Sequence, residues 1–231
     1  MLIYSHRGES KYAPENTMSA FFLADLLNSD GIECDIRKTK DNILVLIHDK
    51  TIDRTSNKIG KVEEYTLNDL KEFDFGNKEY KGETIVTLTD FLNYFSNKNI
   101  KIFLEAKESG YEELLWKTIS KYNINNITII SFKYDILKKL RDISKIIKLS
   151  WLVYDINKIV INDALKIHLN EIMCISIALN KEKVELIKKN NILACAWGIK
   201  NKEELKRMEK IGVDKIVYDS FYDAKKVLKN E

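Results

Sequence analysis

Gly31-Ile32-Glu33-Cys34-Asp35-Ile36-Arg37-Lys38-Thr39-Lys40-Asp41-Asn42-Ile43-Leu44-Val45-Leu46-Ile47-His48 consists of two apolar runs joined by a polar turn. The turn, Thr39–Asn42, is too short for the crossover helix that a parallel connection needs, and Asp41-Asn42 suits a two-residue hairpin. The two runs are therefore expected to pair antiparallel, with Asp35 opposite His48. Period-two alternation then sets Glu33, Asp35 and His48 on one face and Cys34, Ile36, Val45 and Ile47 on the other.

Seven further short apolar or β-branched runs fall at 2–5, 101–105, 127–132, 146–153, 171–177, 192–198 and 215–218. Most are separated by helical patterns, such as 17–28, 111–122, 133–142, 181–190 and 202–211. Strands alternating with helices argue for βα units and a parallel sheet. With 43–48 set aside as a hairpin partner, eight parallel strands remain, the number that closes an α/β barrel. The stretch at about 50–98 breaks the rhythm with the turn-like Ser56-Asn57-Lys58-Ile59-Gly60 and two short helix candidates. One follows Thr66, with Asp69 three residues on, and the other lies near 89–95. An insertion of this kind commonly forms part of a site's rim. With eight Gly, one Pro and no linker-like stretch, residues 1–231 are expected to form a single domain.

Composition excludes several classes. A net charge of +3 from 38 basic and 35 acidic residues is too balanced for nucleic acid, and no basic stripe is interleaved with aromatics. The first strand meets His6 and Arg7 too soon for the apolar segment of a signal peptide, and no apolar run approaches the roughly 20 residues that span a bilayer. Cys34, Cys174 and Cys195 sit in apolar runs without C-x-x-C spacing, as reduced buried thiols of a cytoplasmic protein do.

Charged residues finish several of the strands, where barrel enzymes build their sites. Two of only three histidines, His6 and His48, close apolar runs, and histidine is the natural acid or base near neutral pH. Glu33, Asp35 and Glu105 offer hard oxygen donors, which favours Mg²⁺ or Ca²⁺ over zinc and also admits Mn²⁺. If they converge, their mutual repulsion calls for one divalent cation. Arg7 and Lys107 bring positive charge suited to a phosphodiester whose oxygens gain charge in the transition state. Trp197 ends its run where it can wall an apolar or polyol pocket. His168 reads as an ordinary helix or surface residue.

The order of these pieces resembles the glycerophosphodiester phosphodiesterase family over nearly the whole chain. The most specific part is Ser5-His6-Arg7-Gly8 followed by Ala13-Pro14-Glu15-Asn16-Thr17, then Glu33-x-Asp35, Thr39-Lys40-Asp41, Ile47-His48-Asp49 and Arg54-Thr55. Later agreement includes Glu105-x-Lys107, Ser131-Phe132, Trp197 and Ile211-Gly212-Val213-Asp214, with Asp219 beyond. The resemblance implies a TIM (β/α)8 barrel with a small inserted subdomain. It also implies metal-dependent hydrolysis of a small-molecule glycerophosphodiester to glycerol 3-phosphate and an alcohol. On this chain it implies His6 and His48 as the acid/base pair, Glu33, Asp35 and Glu105 as metal ligands, and Arg7 and Lys107 as phosphate contacts. Lysophospholipid hydrolysis is the alternative within the class. A non-catalytic phosphate-binding role is argued against by retention of the whole set. The chain departs from the family's usual W-T-x-N at Trp197-Gly198-Ile199-Lys200, from T-D-x-P at Tyr218-Asp219-Ser220-Phe221, and from I-P-T-L at Ile85-Val86-Thr87-Leu88. These departures bear on the alcohol side of the pocket.

Overall fold

The computed structural model describes residues 1–229. Its parallel strands are β1 (Leu2–His6), β2 (Gly31–Lys38), β5 (Lys101–Ala106), β6 (Ile127–Ser131), β7 (Lys148–Val153), β8 (Glu171–Ile175), β9 (Leu193–Trp197) and β10 (Lys215–Tyr218). Each hydrogen-bonds to the next, and β1 pairs with both β2 and β10, so the eight close into a barrel. Around it run α1 (Met18–Leu26), α4 (Glu112–Ile119), α5 (Tyr134–Ile143), α6 (Lys158–Lys166), α7 (Lys181–Lys189), α8 (Lys202–Lys210) and α9 (Phe221–Lys229). Polar side chains start several of these helices on cue: Thr17, Asn157, Asn180 and Asn201 each accept a backbone N–H of the first turn. Among the described residues, no helix is long and apolar enough to cross a membrane.

Strand alternation sorts the side chains into two cores. Ile3, Ile32, Cys34, Ile102, Leu104 and Ile129 face outward onto the helices. Tyr4, Phe103, Ile130, Leu152, Met173, Cys195 and Val217 fill the interior, with Tyr4 stacked on Phe103 at 4.0 Å. The barrel floor is closed by a buried ion pair between Glu171, the first residue of β8, and Lys215, the first of β10. Both point inward because each lies two residues before an interior position. Cys195 Sγ lies 3.4 Å from the second Glu171 oxygen. All three cysteines are free and buried.

The hairpin forms, but its register differs by one residue from the expected one. β3 (Leu44–Leu46) runs antiparallel to β2 with Ile36 opposite Leu46, Arg37 opposite Val45 and Lys38 opposite Leu44. Thr39 N–H donates to Ile43 C=O at 2.9 Å around a three-residue loop, Lys40–Asn42. Asn42 takes the left-handed φ of 62° that such a loop requires. Asp35 therefore faces Ile47, whose N–H it accepts at 2.9 Å, and not His48. A one-residue slip moves every side chain of the strand to the other face. Leu44 and Leu46 thus join Cys34 and Ile36 in the outer core, while Val45 and Ile47 turn toward the segment that follows. There they pack with Ile52, Val62, Leu70, Phe75 and Ile85 into a separate small core. That segment carries α2 (Leu67–Lys71) behind a Thr66–Asp69 capping box, and α3 (Leu88–Phe95). It also carries β4 (Val86–Thr87), whose two residues are too few for periodicity to reveal.

Removing one partner of a buried ion pair strands an uncompensated charge, at about 3–5 kcal/mol. Glu171→Ala is expected to lower unfolding stability in urea by that order. Glu171→Leu with Lys215→Met is expected to recover most of the loss. Equal losses in the single and double variants would show that the pair itself is net stabilising and that a stranded charge is not the cause.

Candidate active site

The inward phase of the barrel continues past its apolar layers. Two residues beyond interior Tyr4 comes His6, and beyond Phe103 come Glu105 and then Lys107. Beyond Ile130, Leu152, Cys195 and Val217 come Phe132, Tyr154, Trp197 and Asp219. All of these line one cleft of about 880 Å³ at the C-terminal ends of the strands, joined by Glu33 and His48. Arg7 reaches the cleft differently, through a left-handed backbone (φ 57°) followed by Gly8 (φ 81°). A Cβ on Gly8 would sit 2.6 Å from the Ala20 backbone, so only glycine fits there.

β1, β2 and β5 are neighbours, which brings Glu33, Asp35 and Glu105 together with carboxylate oxygens all within 4.8 Å of one another. All three are buried, Asp35 to 1% exposure. Lys107 Nζ lies 2.8 Å from Glu105 and 3.3 Å from Asp35, and Arg7 Nε lies 3.2 Å from Asp35. Asn16 Nδ2 donates to Asp35 at 2.9 Å, and the Arg7 N–H donates to Glu33 at 3.1 Å. Burial, with the charges of Asp35 and Glu105, pushes the Glu33 carboxyl well up. Burial and the Asp35 charge raise Glu105 to about 7. Burial also opposes ionisation of Asp35, but Lys107 and Arg7 outweigh it and hold that group at about 2. Two cations thus stabilise one carboxylate fully and leave the other two short of positive charge. Hard oxygens at this spacing, with Asp35 Oδ1 buried and met by the Lys107 ammonium at 3.3 Å without a hydrogen bond, fit a divalent cation.

Each histidine has a carboxylate on Nδ1: Asp219 at 2.6 Å from His6 and Asp49 at 2.7 Å from His48. A carboxylate only accepts, so Nδ1 carries the proton and Nε2 is left for the cleft. His6 Nε2 lies 4.0 Å from Glu33. Burial lowers the His48 pKa against the pull of Asp35 and Asp49. His48 stands beyond the β3 ladder and is placed by Arg37, which donates from Nε and Nη2 to its carbonyl at 2.9 and 2.7 Å.

Residues 6–222 match the glycerophosphoryl diester phosphodiesterase family. The chain is 36% identical over 228 residues to a glycerophosphodiester phosphodiesterase of Caldanaerobacter subterraneus, covering 94% of this chain and 93% of that one. The chain belongs to the glycerophosphoryl diester phosphodiesterase family. It is accordingly an enzyme, a phosphoric diester hydrolase. A Bacillus subtilis glycerophosphodiester phosphodiesterase is 28% identical over 258 residues, covering 98% of this chain and 87% of that one. In fold, the chain superposes with a TM-score of 0.92 on an Oleispira antarctica phosphodiesterase solved with its product sn-glycerol-3-phosphate. That protein is 22% identical, with 99% of this chain and 97% of that one covered.

For this phosphodiesterase, the residues singled out from sequence converge: His6, Arg7, Glu33, Asp35, His48, Glu105, Lys107 and Trp197 meet at one mouth. His168 follows the end of α6 with φ 50° and lines a separate groove. Sequence reasoning gave no role to Asp49, Asp219 or Asn16. Asp49 adjoins His48 and Asn16 lies in the Pro14-Glu15-Asn16-Thr17 stretch, so both had a local signal. Asp219 had its place in the Tyr218-Asp219-Ser220-Phe221 stretch, but it is 213 residues from His6 and nothing in the sequence tied the two together. Phe132 and Tyr154 were also missed; they pack edge-on against Trp197 at 5.2 and 5.4 Å and form an aromatic wall with it.

A carboxyl whose folded pKa is raised contributes stability that is present at low pH and lost as pH climbs toward that value. For Glu105 the loss runs from the ordinary 4.5 to about 7, and Glu33 has the same sign. Asp35 has the opposite sign but acts only below 3.8. In a chelator, the melting temperature is therefore expected to carry a component that falls between about pH 4.5 and 7. Glu105→Gln is expected to flatten it, and a saturating divalent cation to reverse it. A Glu105→Gln melt with an unchanged pH slope would refute this account.

Proposed function

We propose that this enzyme hydrolyses glycerophosphodiesters to sn-glycerol 3-phosphate and an alcohol, with one divalent cation held by Glu33, Asp35 and Glu105. The observation that carries the reading is the convergence of two Nδ1-anchored histidines on a buried triad of carboxylates flanked by Arg7 and Lys107. A bound divalent cation supplies Lewis acidity toward a phosphate oxygen, and Mg²⁺, Ca²⁺ and Mn²⁺ all suit the donor set. Arg7 and Lys107 stabilise charge gathering on the phosphate oxygens. One histidine, through its Nε2, removes the proton of the attacking oxygen, that of water or of the neighbouring glycerol hydroxyl, and the other protonates the departing alcohol oxygen. In the second case water then opens the cyclic phosphate to glycerol 3-phosphate. Asp49 and Asp219 keep both rings in the tautomer this requires. Trp197 walls the alcohol side. We place the chemistry in one domain, with the segment at about 50–98 as an insertion at its rim. The free, buried thiols support a cytoplasmic setting.

One feature favours a second substrate class. The half of the cleft opposite the carboxylates is apolar, lined by Ile130, Phe132, Leu152, Tyr154, Met173 and Trp197, which suits the acyl chain of a lysophospholipid.

A coupled assay for released glycerol 3-phosphate, run over glycerophosphodiesters and lysophospholipids with each metal in turn, tests both readings. His6→Ala and His48→Ala are each expected to lower turnover by roughly 10²–10⁴-fold, and exhaustive chelation to abolish it. Near-normal turnover in either variant, or in chelator, would sink the mechanism.

A further inference from the structure

Charged groups alternate in sign from one side of the mouth to the other. Asp35 meets Arg7 Nε at 3.2 Å, and Arg7 Nη1 meets Glu15 Oε1 at 2.9 Å. Arg54 then clasps Glu15 with both terminal nitrogens, Nη1 to Oε2 at 2.6 Å and Nη2 to Oε1 at 2.8 Å. Its remaining nitrogen, Nε, donates to Asp49 Oδ2 at 2.7 Å, and the other oxygen of Asp49 holds His48 Nδ1. One guanidinium therefore bridges the carboxylate behind His48 and the carboxylate behind Arg7. Arg54 itself does not line the cleft.

The backbone that carries Arg54 is rooted. Ile52, two residues before it, is fully buried in the small core made by Val45, Ile47, Val62, Leu70, Phe75 and Ile85. Ile52 N–H donates to Gly60 C=O, and Ile52 C=O accepts from Ser56 N–H, both at 2.9 Å. That core belongs to the segment interrupting the barrel rhythm, whose packing thus fixes where the guanidinium stands.

We propose that Arg54 is a positioning residue that sets His48 and Arg7 together through Asp49 and Glu15, and that the inserted segment's small core is the support that holds it. The proposal rests on the reading that His48 moves a proton and Arg7 meets the phosphate. Arg54 is half exposed, so its ion pairs add little to stability; what they add is geometry. Its three nitrogens, fixed in one plane, grip Glu15 bidentately and Asp49 at the same time; a lysine ammonium is one atom on a flexible stem and cannot reproduce that fork. Charge alone is therefore insufficient at this position.

The test measures kcat, KM and melting temperature for Arg54→Lys, Arg54→Gln, Glu15→Gln and the Arg54→Lys/Glu15→Gln double variant, beside His48→Ala. Losing a group that orients a functional side chain costs roughly 10–100-fold. Arg54→Lys and Arg54→Gln are expected to lose that much in kcat with nearly unchanged melting temperature. Glu15→Gln is expected to raise KM as Arg7 loosens. The double variant is expected to be scarcely worse than the poorer single, because both act through one shared contact. If His48→Ala is crippled while Arg54→Lys keeps kcat within about twofold, the positioning role is overturned and the acid/base reading stands. A kcat loss fully matched by a fall in melting temperature, in both Arg54 variants, also overturns it. If His48→Ala keeps its rate, the underlying reading falls and takes this proposal with it.

Discussion

Glu33, Asp35 and Glu105 hold three carboxylates within 4.8 Å of one another, in a place almost without solvent. Like charges at that distance and low dielectric repel strongly. Everything around them offsets that repulsion in part: Lys107 and Arg7 contact Asp35, Asn16 donates to it, and the Arg7 N–H donates to Glu33. The offset is unequal, so Asp35 is held ionised while Glu33 and Glu105 stay difficult to ionise. A site left so short of positive charge is suited to a divalent cation and to the anionic phosphate beside it.

The barrel makes this concentration of charge possible and limits it to one end. Along a single inward phase the side chains pass from the Glu171–Lys215 pair at the floor, through Tyr4, Phe103 and Met173, to the charged mouth. The apolar layers separate the two polar ends. At the mouth the same phase divides sideways. The strands β1, β2 and β5 carry the histidine and carboxylates, whereas β6 to β9 carry Phe132, Tyr154, Met173 and Trp197. One half of the cleft suits a metal-bound phosphate and the other an apolar group.

Local patterns revealed much of this. The apolar runs, their helical spacers and the short Thr39–Asn42 turn were enough to separate eight parallel strands from a hairpin partner. The turn's conformation was not legible, because a three-residue loop and a two-residue turn differ by one residue that polar sequence tolerates equally. That residue reversed the expected facing of Val45 and Ile47. His48 reaches the cleft through Arg37's grip on its carbonyl, not through strand alternation. β4 was too short to read, and the ion pair at the floor joins residues 44 apart.

By itself the sequence determined which residues would be chemically useful and which end of each strand they would occupy, since periodicity and strand ends are properties of neighbouring residues. It also carried the family resemblance, in motifs such as His6-Arg7-Gly8 and Pro14-Glu15-Asn16-Thr17. Only the tertiary structure decided the partnerships: Asp219 on His6 across 213 positions, Asp35 between Lys107 and Arg7, and Arg54 between Asp49 and Glu15. The physical reason is that these contacts depend on barrel closure and on one hairpin register. Both are fixed by packing between segments far apart in the chain, which no local pattern records.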